Sequence, residues 1–254
     1  TSLSELRLAI ILNDEKTLIP LMKSLHQPAY TSLNVTMGYP LQHTSVATWI
    51  RRYLNLFGVT APQHREQGRI RLSSSRLLLW LSSPLTHRLF GRLSSYLKSW
   101  LSARIYMVDT AEVQALLEQC PEVFNGDIKQ ELMDLLSPSI DGHGLLRRLR
   151  RLLELLKAFI DETEKLTGDA LPENEDRVIL NESIDQIDRY VVQVSNILKS
   201  TQGVSNMLDT PQHVSYLLEQ LIAVWSIPFE GDPLEGLQVM GFLETRTLNF
   251  DYLI

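Results

Sequence analysis

The stretch GLQVMGFLETRTLNFDYLI, Gly236 to Ile254, decides the fold. It contains two apolar runs of strand character, LQVMGFL and FDYLI, around a polar centre. Neither run is stable alone, because a strand needs hydrogen-bonding neighbours at its edges and cover on its faces. The opposite end of the chain has the same need. LRLAIIL, at 6 to 12, is a short apolar run ending at NDEK, the pattern of a buried strand meeting a turn. In the following TLIPLMKSL, Leu18, Leu21, Met22 and Leu25 recur at helical spacing, and Pro20 is tolerated in a first turn because its missing N–H would have no partner there. LNVTMG is β-branched and alternating, and is stopped by Gly38 and Pro40. Strand, helix and strand in this order form a βαβ unit, whose strands run parallel. Two parallel strands leave apolar surface in water, so the early unit and the late strands each supply what the other lacks.

Between them the signals are helical. Val46, Ile50, Tyr53, Leu54 and Phe57 mark one helix, and Leu77 to Leu101 marks two more around Pro84. RIRL (69 to 72) and RIYMV (104 to 108) form a candidate short strand pair. DTAE opens another helix, with Asp109 or Thr110 as the cap and Val113, Leu116 and Leu117 facing the core. GLLRRLRRLLELLKAFI puts Leu145, Leu149, Leu152, Leu153, Leu156 and Ile160 on one stripe, with Arg147, Arg151 and Glu154 opposite. DALPENED reads as a loop. Leu180, Ile184, Ile187, Val191, Val194 and Leu198 step by four and three, the narrow seam of a helix packed along a neighbour. DTPQ opens a further helix, with Pro211 at its first position and Val214, Leu217, Leu218 and Leu221 inward. SIPFEGDPLEG ends the helical pattern. The expected fold class is α/β with a dominant helical part: residues 1–44 and 228–254 form a partial parallel sheet, and residues 45–227 form a helical insertion.

Composition sets the outer limits. In 254 residues, 44% hydrophobic and 21% charged is the balance of a globular protein with a sizeable core. The single cysteine, Cys120, cannot form an internal disulfide and reads first as a small buried hydrophobe. LLLWL, at 77 to 81, is far shorter than the roughly 20 residues that cross a bilayer, and the polar start TSLSELR has no signal-peptide core. A cytoplasmic location without membrane contact is expected. The net charge of −6 is unevenly distributed. Residues 1–110 hold 13 Lys+Arg against 5 Asp+Glu, and residues 111–254 hold 11 against 25. Such asymmetry suits either a phosphate-facing surface or two regions that attract each other.

LAIILNDEKTLIPLMKSL, LNVTMGYPLQHTSVATWI and IPFEGDPLEGLQVMGFLETRTLNFDYLI together resemble the AddB-type subunit of bacterial helicase-nucleases. The resemblance is strongest to the Bacteroidetes-like proteins described as inactivated superfamily-one helicases fused to a RecB-like PD-(D/E)XK nuclease. It covers both ends and follows the helical middle only in outline. It implies that 1–44 and 228–254 are part of the second RecA-like domain and that 45–227 is its inserted subdomain. Active relatives carry T-x-H-x-x-K-G-L-E-F in that domain, a segment that touches DNA and couples it to the nucleotide site. Here FLETRTLNF keeps Leu248 and Phe250, but Leu243 stands at the His place, Arg246 at the Lys place and Thr247 at the Gly place. The resemblance therefore implies the inactivated type, and a chain that is an internal piece of a longer protein.

No G-x-x-x-x-G-K-[ST] occurs, so no loop is present to cradle phosphates with a lysine and a magnesium-binding hydroxyl. The six histidines, at 26, 43, 64, 87, 143 and 213, are too widely spaced for a metal site, and carboxylate pairs such as Asp14 with Glu15 or Asp161 with Glu162 and Glu164 read as solvated charges. No catalytic, cofactor or metal residue is expected. Arginines are the remaining candidates. Arg147, Arg148, Arg150 and Arg151 span nearly half a helix circumference opposite the leucine stripe, suited to phosphate contact or to a solvated face with Arg150 paired to Glu154. Arg65, Arg69, Arg71, Arg76, Arg88 and Arg92 form a longer basic stretch, and Arg246 lies in the motor-like segment. The candidate DNA contacts are Arg246, Arg147, Arg148, Arg151, Arg69, Arg71, Arg76, Arg88 and Arg92. The expected role is non-catalytic: guiding DNA, or docking a partner motor subunit, in double-strand-break processing. The alternative is a helical protein-interaction module without nucleic-acid contact, favoured by the acidity and by the seam at 180 to 198.

Overall fold

A computed structural model describes residues 8–25, 33–57, 71–102, 107–119, 126–137, 141–167, 177–200, 209–228, 237–245 and 250–254. The chain divides into two compact units, Thr1–Thr44 with Ala223–Ile254, and Ser45–Ile222. Most of the described residues are helical, and a small parallel sheet of four strands accompanies them.

In the first unit that sheet joins β1 (Leu8–Leu12), β2 (Leu33–Val35), β7 (Leu237–Gly241) and β8 (Tyr252–Leu253) in the order β2-β7-β1-β8. Every pairing is parallel. Ile10 lies opposite Val239, Val35 opposite Val239 on the other side, and Ala9 opposite Leu253. Bonds beyond the ladder extend it: Thr36 N–H donates to Val239 O at 3.0 Å, and Ile11 N–H to Ile254 O at 2.9 Å. Leu237, Gln238, Val239 and Met240 are all buried, as expected of a strand paired on both edges.

Strand alternation divides the sheet into two faces. On one, Val35 and Val239 cluster with Met37 and with Leu18 of α1 (Leu18–Ser24), joined by the partly buried Ile10, Leu12, Leu21, Met22 and Tyr39. The other carries Ala9, Met240 and a buried amide pair in which Asn34 Nδ2 donates to Gln238 Oε1 at 2.5 Å. Before α1, Asp14 caps a short 3-10 turn by accepting from Lys16 N–H. A two-residue pair, β3 (Tyr39–Pro40) with β6 (Ser226–Ile227), is antiparallel and is not evident in SIPFEGDPLEG. Gly38 makes it possible, since a Cβ there would stand 2.8 Å from Ser226 Cβ.

The second unit is built on helices α2 (Ser45–Phe57), α3 (Ser74–Leu81) and α4 (Pro84–Ser102). Trp49, Tyr53 and Phe57 lie on one face of α2, where Trp49 and Tyr53 meet Trp80 of α3, Phe57 packs against Tyr53, and Phe90 of α4 packs against Trp80. Ring centroids are 6.5 Å apart for Trp49 and Trp80, 5.4 Å for Tyr53 and Trp80, and 6.1 Å for Trp80 and Phe90. Hydrogen bonds close the cluster. Trp49 Nε1 donates to Thr86 Oγ1, whose hydroxyl donates to Trp80 O, both at 2.7 Å. Tyr53 donates to Leu135 O at 2.7 Å. The pair β4 (Arg71–Ser73) and β5 (Met107–Asp109), which brackets α3 and α4 in sequence, is antiparallel; it overlaps the expected strands at 71–72 and 107–108, and 69–70 and 104–106 lie outside the described residues. Helix α4 departs from helical geometry at Gly91, whose φ of 49° favours glycine.

Asp109 caps α5 (Thr110–Glu118) by accepting from Ala111 N–H. Val113 and Leu117 are buried, whereas Leu116 is only partly so. Helix α6 (Gly126–Leu136) has no counterpart in the sequence reading, and buries Leu132, Leu135 and Leu136. The long α7 (Gly142–Thr167) and α8 (Arg177–Ser200) run antiparallel, since Arg150 pairs with Asp188 and Lys157 with Asp185. Every residue named for the α7 stripe and the α8 seam is buried. In α9 (Pro211–Val224) Val214 and Leu218 are buried with Ile222, while Leu217 and Leu221 are partly exposed. Asp209 before α9 holds the start of α7: its carboxylate accepts from His143 N–H at 3.0 Å and its carbonyl from Gly142 N–H at 3.3 Å. Cys120 and DALPENED lie outside the described residues. Among the described residues no helix is long and apolar enough to cross a membrane.

A Cβ at Gly142 would lie 2.6 Å from Val214 Cγ2 and 2.9 Å from Asp209 Oδ1. Gly142→Ala should therefore lower stability by about 1–3 kcal/mol in urea denaturation, although helix propensity alone favours alanine by about 1 kcal/mol; a stabilised variant would refute the contact. Burial raises the Tyr53 phenol well above its ordinary value. The neutral form is the one folded, so its contribution is complete below about pH 10 and is lost above it by about 1.4 kcal/mol per pH unit. Alkaline titration of stability should be shallower in Tyr53→Phe than in the parent.

Candidate nucleic-acid interface

The arginines are separated by how each helix meets its neighbours. On α7, positions 145, 149, 152 and 156 face inward, and Arg148 lies at the margin of that stripe, three residues after Leu145 and four before Leu152. It is half-buried, donates from Nη1 to Ser137 O, and places its guanidinium carbon 5.9 Å from the centre of the Phe57 ring. Desolvation lowers its pKa from the usual arginine range. Arg148 thus holds the end of α6 and the aromatic core together, at the margin of the apolar stripe and not on the solvated face expected for the arginine cluster.

Arg151 is exposed yet occupied. Its Nε lies 3.1 Å from both carboxylate oxygens of Glu131, its Nη2 donates to Glu131 Oε1, and Glu154 stands 3.6 Å from Nη1. The hydrogen bond to Glu131 is the main reason its pKa is raised. Arg150 pairs with Glu154 at 3.9 Å, the expected i,i+4 contact, and more closely with Asp188 at 3.3 Å across the helix pair. Arg147 is exposed and, among the described residues, has no ion-pair partner. The surface between α6 and α7 is a cleft of about 480 Å³ in which Glu131 and Asp134 face Arg147, Arg148 and Arg151. Its two carboxylates offset most of the charge of the three arginines.

The longer basic stretch is dispersed. Arg71 is exposed on β4, opposite Asp109 in register. Arg76 is partly buried and donates to Asn55 O at 3.2 Å, which fixes it to the end of α2. Arg88 and Arg92 lie on either side of the break at Gly91 in α4, the first partly buried and the second exposed. Arg65, Arg69 and Arg246 lie outside the described residues, as do Thr247, Leu248 and the side chain of Leu243; Phe250 is partly buried.

Other chemistry is sparse. His87 Nδ1 is 3.2 Å from Ser94 Oγ, and His213 Nδ1 is 2.8 Å from Thr210 Oγ1, so both rings serve local hydrogen bonds. Among the described residues no group of three His, Cys, Asp or Glu is placed to hold a metal ion. Sequence reasoning missed the contrast between Arg147 and its neighbours. Its only further signal would have been the acidic residues at 131 and 188, on helices that local spacing does not place beside α7.

Arg148→Ala should cost about 2 kcal/mol through the lost charged hydrogen bond and ring contact, while Arg147→Ala should stay within about 0.5 kcal/mol of the parent. Urea midpoints measure both; equal losses would contradict the division between an anchored and a free arginine. No family model matches the chain, and neither a curated protein nor a solved structure matches it.

Proposed function

We propose that the chain is a non-catalytic, helicase-like part of a DNA double-strand-break processing helicase-nuclease. In this reading the parallel sheet belongs to a second RecA-like domain, and 45–227 is the helical subdomain inserted into it. The observation that carries the reading is the register of Ile10 against Val239, which joins segments from opposite ends of the chain in one parallel layer. A sheet interrupted in this way is the arrangement implied by the resemblance. ATP and nuclease chemistry would reside in other parts of the same protein, and this part would guide DNA or dock a motor subunit. Arg147, Arg71, Arg88 and Arg92 are the described candidates for phosphate contact, whereas Arg148, Arg151 and Arg76 act within the fold.

One observation favours a second reading, a helical protein-interaction module. Arg150, Arg151 and Lys157 all pair with carboxylates, which leaves fewer cations for phosphate. Fluorescence anisotropy with duplex, single-stranded and forked DNA separates the two. The first reading expects binding at low salt that weakens with a slope of about 0.9 in log K per log salt for each duplex phosphate neutralised, reduced by about that amount in Arg147→Gln. Absence of binding to all three DNA forms at low salt would leave the interaction module standing.

A further inference from the structure

The antiparallel packing of α7 and α8 creates a second cleft, of about 430 Å³, on the opposite side of Arg147 from the carboxylate-bearing one. His143, Arg147 and Arg150 line it from α7, spaced by one turn along a single face. Ser195, Asn196 and Lys199 line it from α8, with Leu146, Val191 and Val192 as apolar lining. No carboxylate is among the nine residues. Arg150 shares its charge with Asp188 and Glu154, at 3.3 and 3.9 Å. Among the described residues Arg147 and Lys199 have no ion-pair partner.

Lys199 in the last turn of α8 also suits the negative end of that helix. That place does not account for Arg147, which belongs to the other helix and faces the same space. Because the helices are antiparallel, the positive start of α7 and the negative end of α8 lie at the same end of the cleft and oppose each other, so the side chains set the sign of the field. Two unpaired cations, a shared third, a hydroxyl and an amide offer more donors than the two oxygens of a carboxylate accept, and match the three terminal oxygens of a phosphate. The lining has no Phe, Tyr or Trp ring on which a base would stack, and its one imidazole, His143, stands among the cations, so recognition falls on the phosphate.

The geometry points to the α7–α8 cleft as a phosphate-binding site, held by Arg147 and Lys199 with Ser195 and Asn196 as neutral donors. The inference does not depend on the DNA reading, because inorganic phosphate and the 5′-terminal phosphate of a strand each present at least three terminal oxygens, whereas a backbone phosphodiester presents two.

The test is a titration of the 254-residue chain, labelled for amide NMR, with inorganic phosphate at constant ionic strength, with acetate as the comparison anion. Saturable shifts confined to 143–150 and 191–199, weakened roughly tenfold or more in Arg147→Gln/Lys199→Gln, are expected. Both substitutions are on exposed side chains, and an unchanged circular dichroism spectrum and melting temperature would show that the fold survives. Linear shifts, shifts spread over the chain, equal binding of acetate, or an unaltered affinity in the double variant would each overturn the site. Competition by single-stranded oligonucleotides identifies the source. Displacement by a 5′-phosphorylated strand alone assigns a terminal phosphate, displacement by both strands assigns backbone phosphates, and displacement by neither assigns free phosphate. Phosphate binding in a chain that binds no DNA would keep the cleft and remove the DNA reading.

Discussion

The sheet depends on β7 having two parallel neighbours. A buried strand that leaves its N–H and C=O groups unpaired loses about as much free energy as each missing hydrogen bond would supply. β7 avoids this by lying between β1 and β2, which come from the far end of the chain. The same insertion explains why β1 and β2 are not neighbours although only one helix separates them in sequence. It also sets the burial of Leu237 to Met240, and with it the choice of Val239 to meet Leu18 and Gln238 to meet Asn34. A one-residue slip would exchange those faces, placing the amide in the apolar cluster and valine in the polar pair.

The helical unit rests on different physics. Its aromatic cluster has large rings at offset and edge-on separations, each pair adding about 0.5–1.5 kcal/mol to what burial supplies. The polar atoms of two of those rings are used to bind backbone and threonine partners. That network ties α2 to α4 and α6, and Arg148 extends it from α7 to Phe57 and Ser137. Charge in this unit is therefore partly structural. The four clustered arginines of α7 differ because one touches a ring, two are matched by carboxylates on neighbouring helices, and one makes no ion pair among the described residues.

This sorting narrows the functional question. A surface able to hold phosphate needs cations whose charge is not already neutralised. Of the nine candidate DNA contacts, Arg148 and Arg76 are committed to backbone carbonyls and Arg151 to Glu131. Arg147 lies between two clefts, one with Glu131 and Asp134 and the other with Ser195, Asn196 and Lys199, and makes no ion pair among the described residues.

Local chemistry was legible in the sequence wherever a single segment carried the information. The periodicity of α7 and α8, the Pro211 start of α9, the Asp109 cap and the apolar strands at both ends all follow from residue type and spacing. The need to join the late strands to the early ones was also legible, because an unpaired apolar strand is unstable whatever surrounds it. The order β2-β7-β1-β8, the small β3–β6 pair beside Gly38 and the presence of α6 were not, since each depends on which distant backbone or side chain arrives alongside. Apart from the contacts of Arg150 and Arg151 with Glu154 inside α7, the fate of the arginines was decided by tertiary packing. Whether a guanidinium is buried, paired or free depends on a partner many positions away, and Coulomb and desolvation energies at a few ångströms are set by that distance, not by the sequence interval.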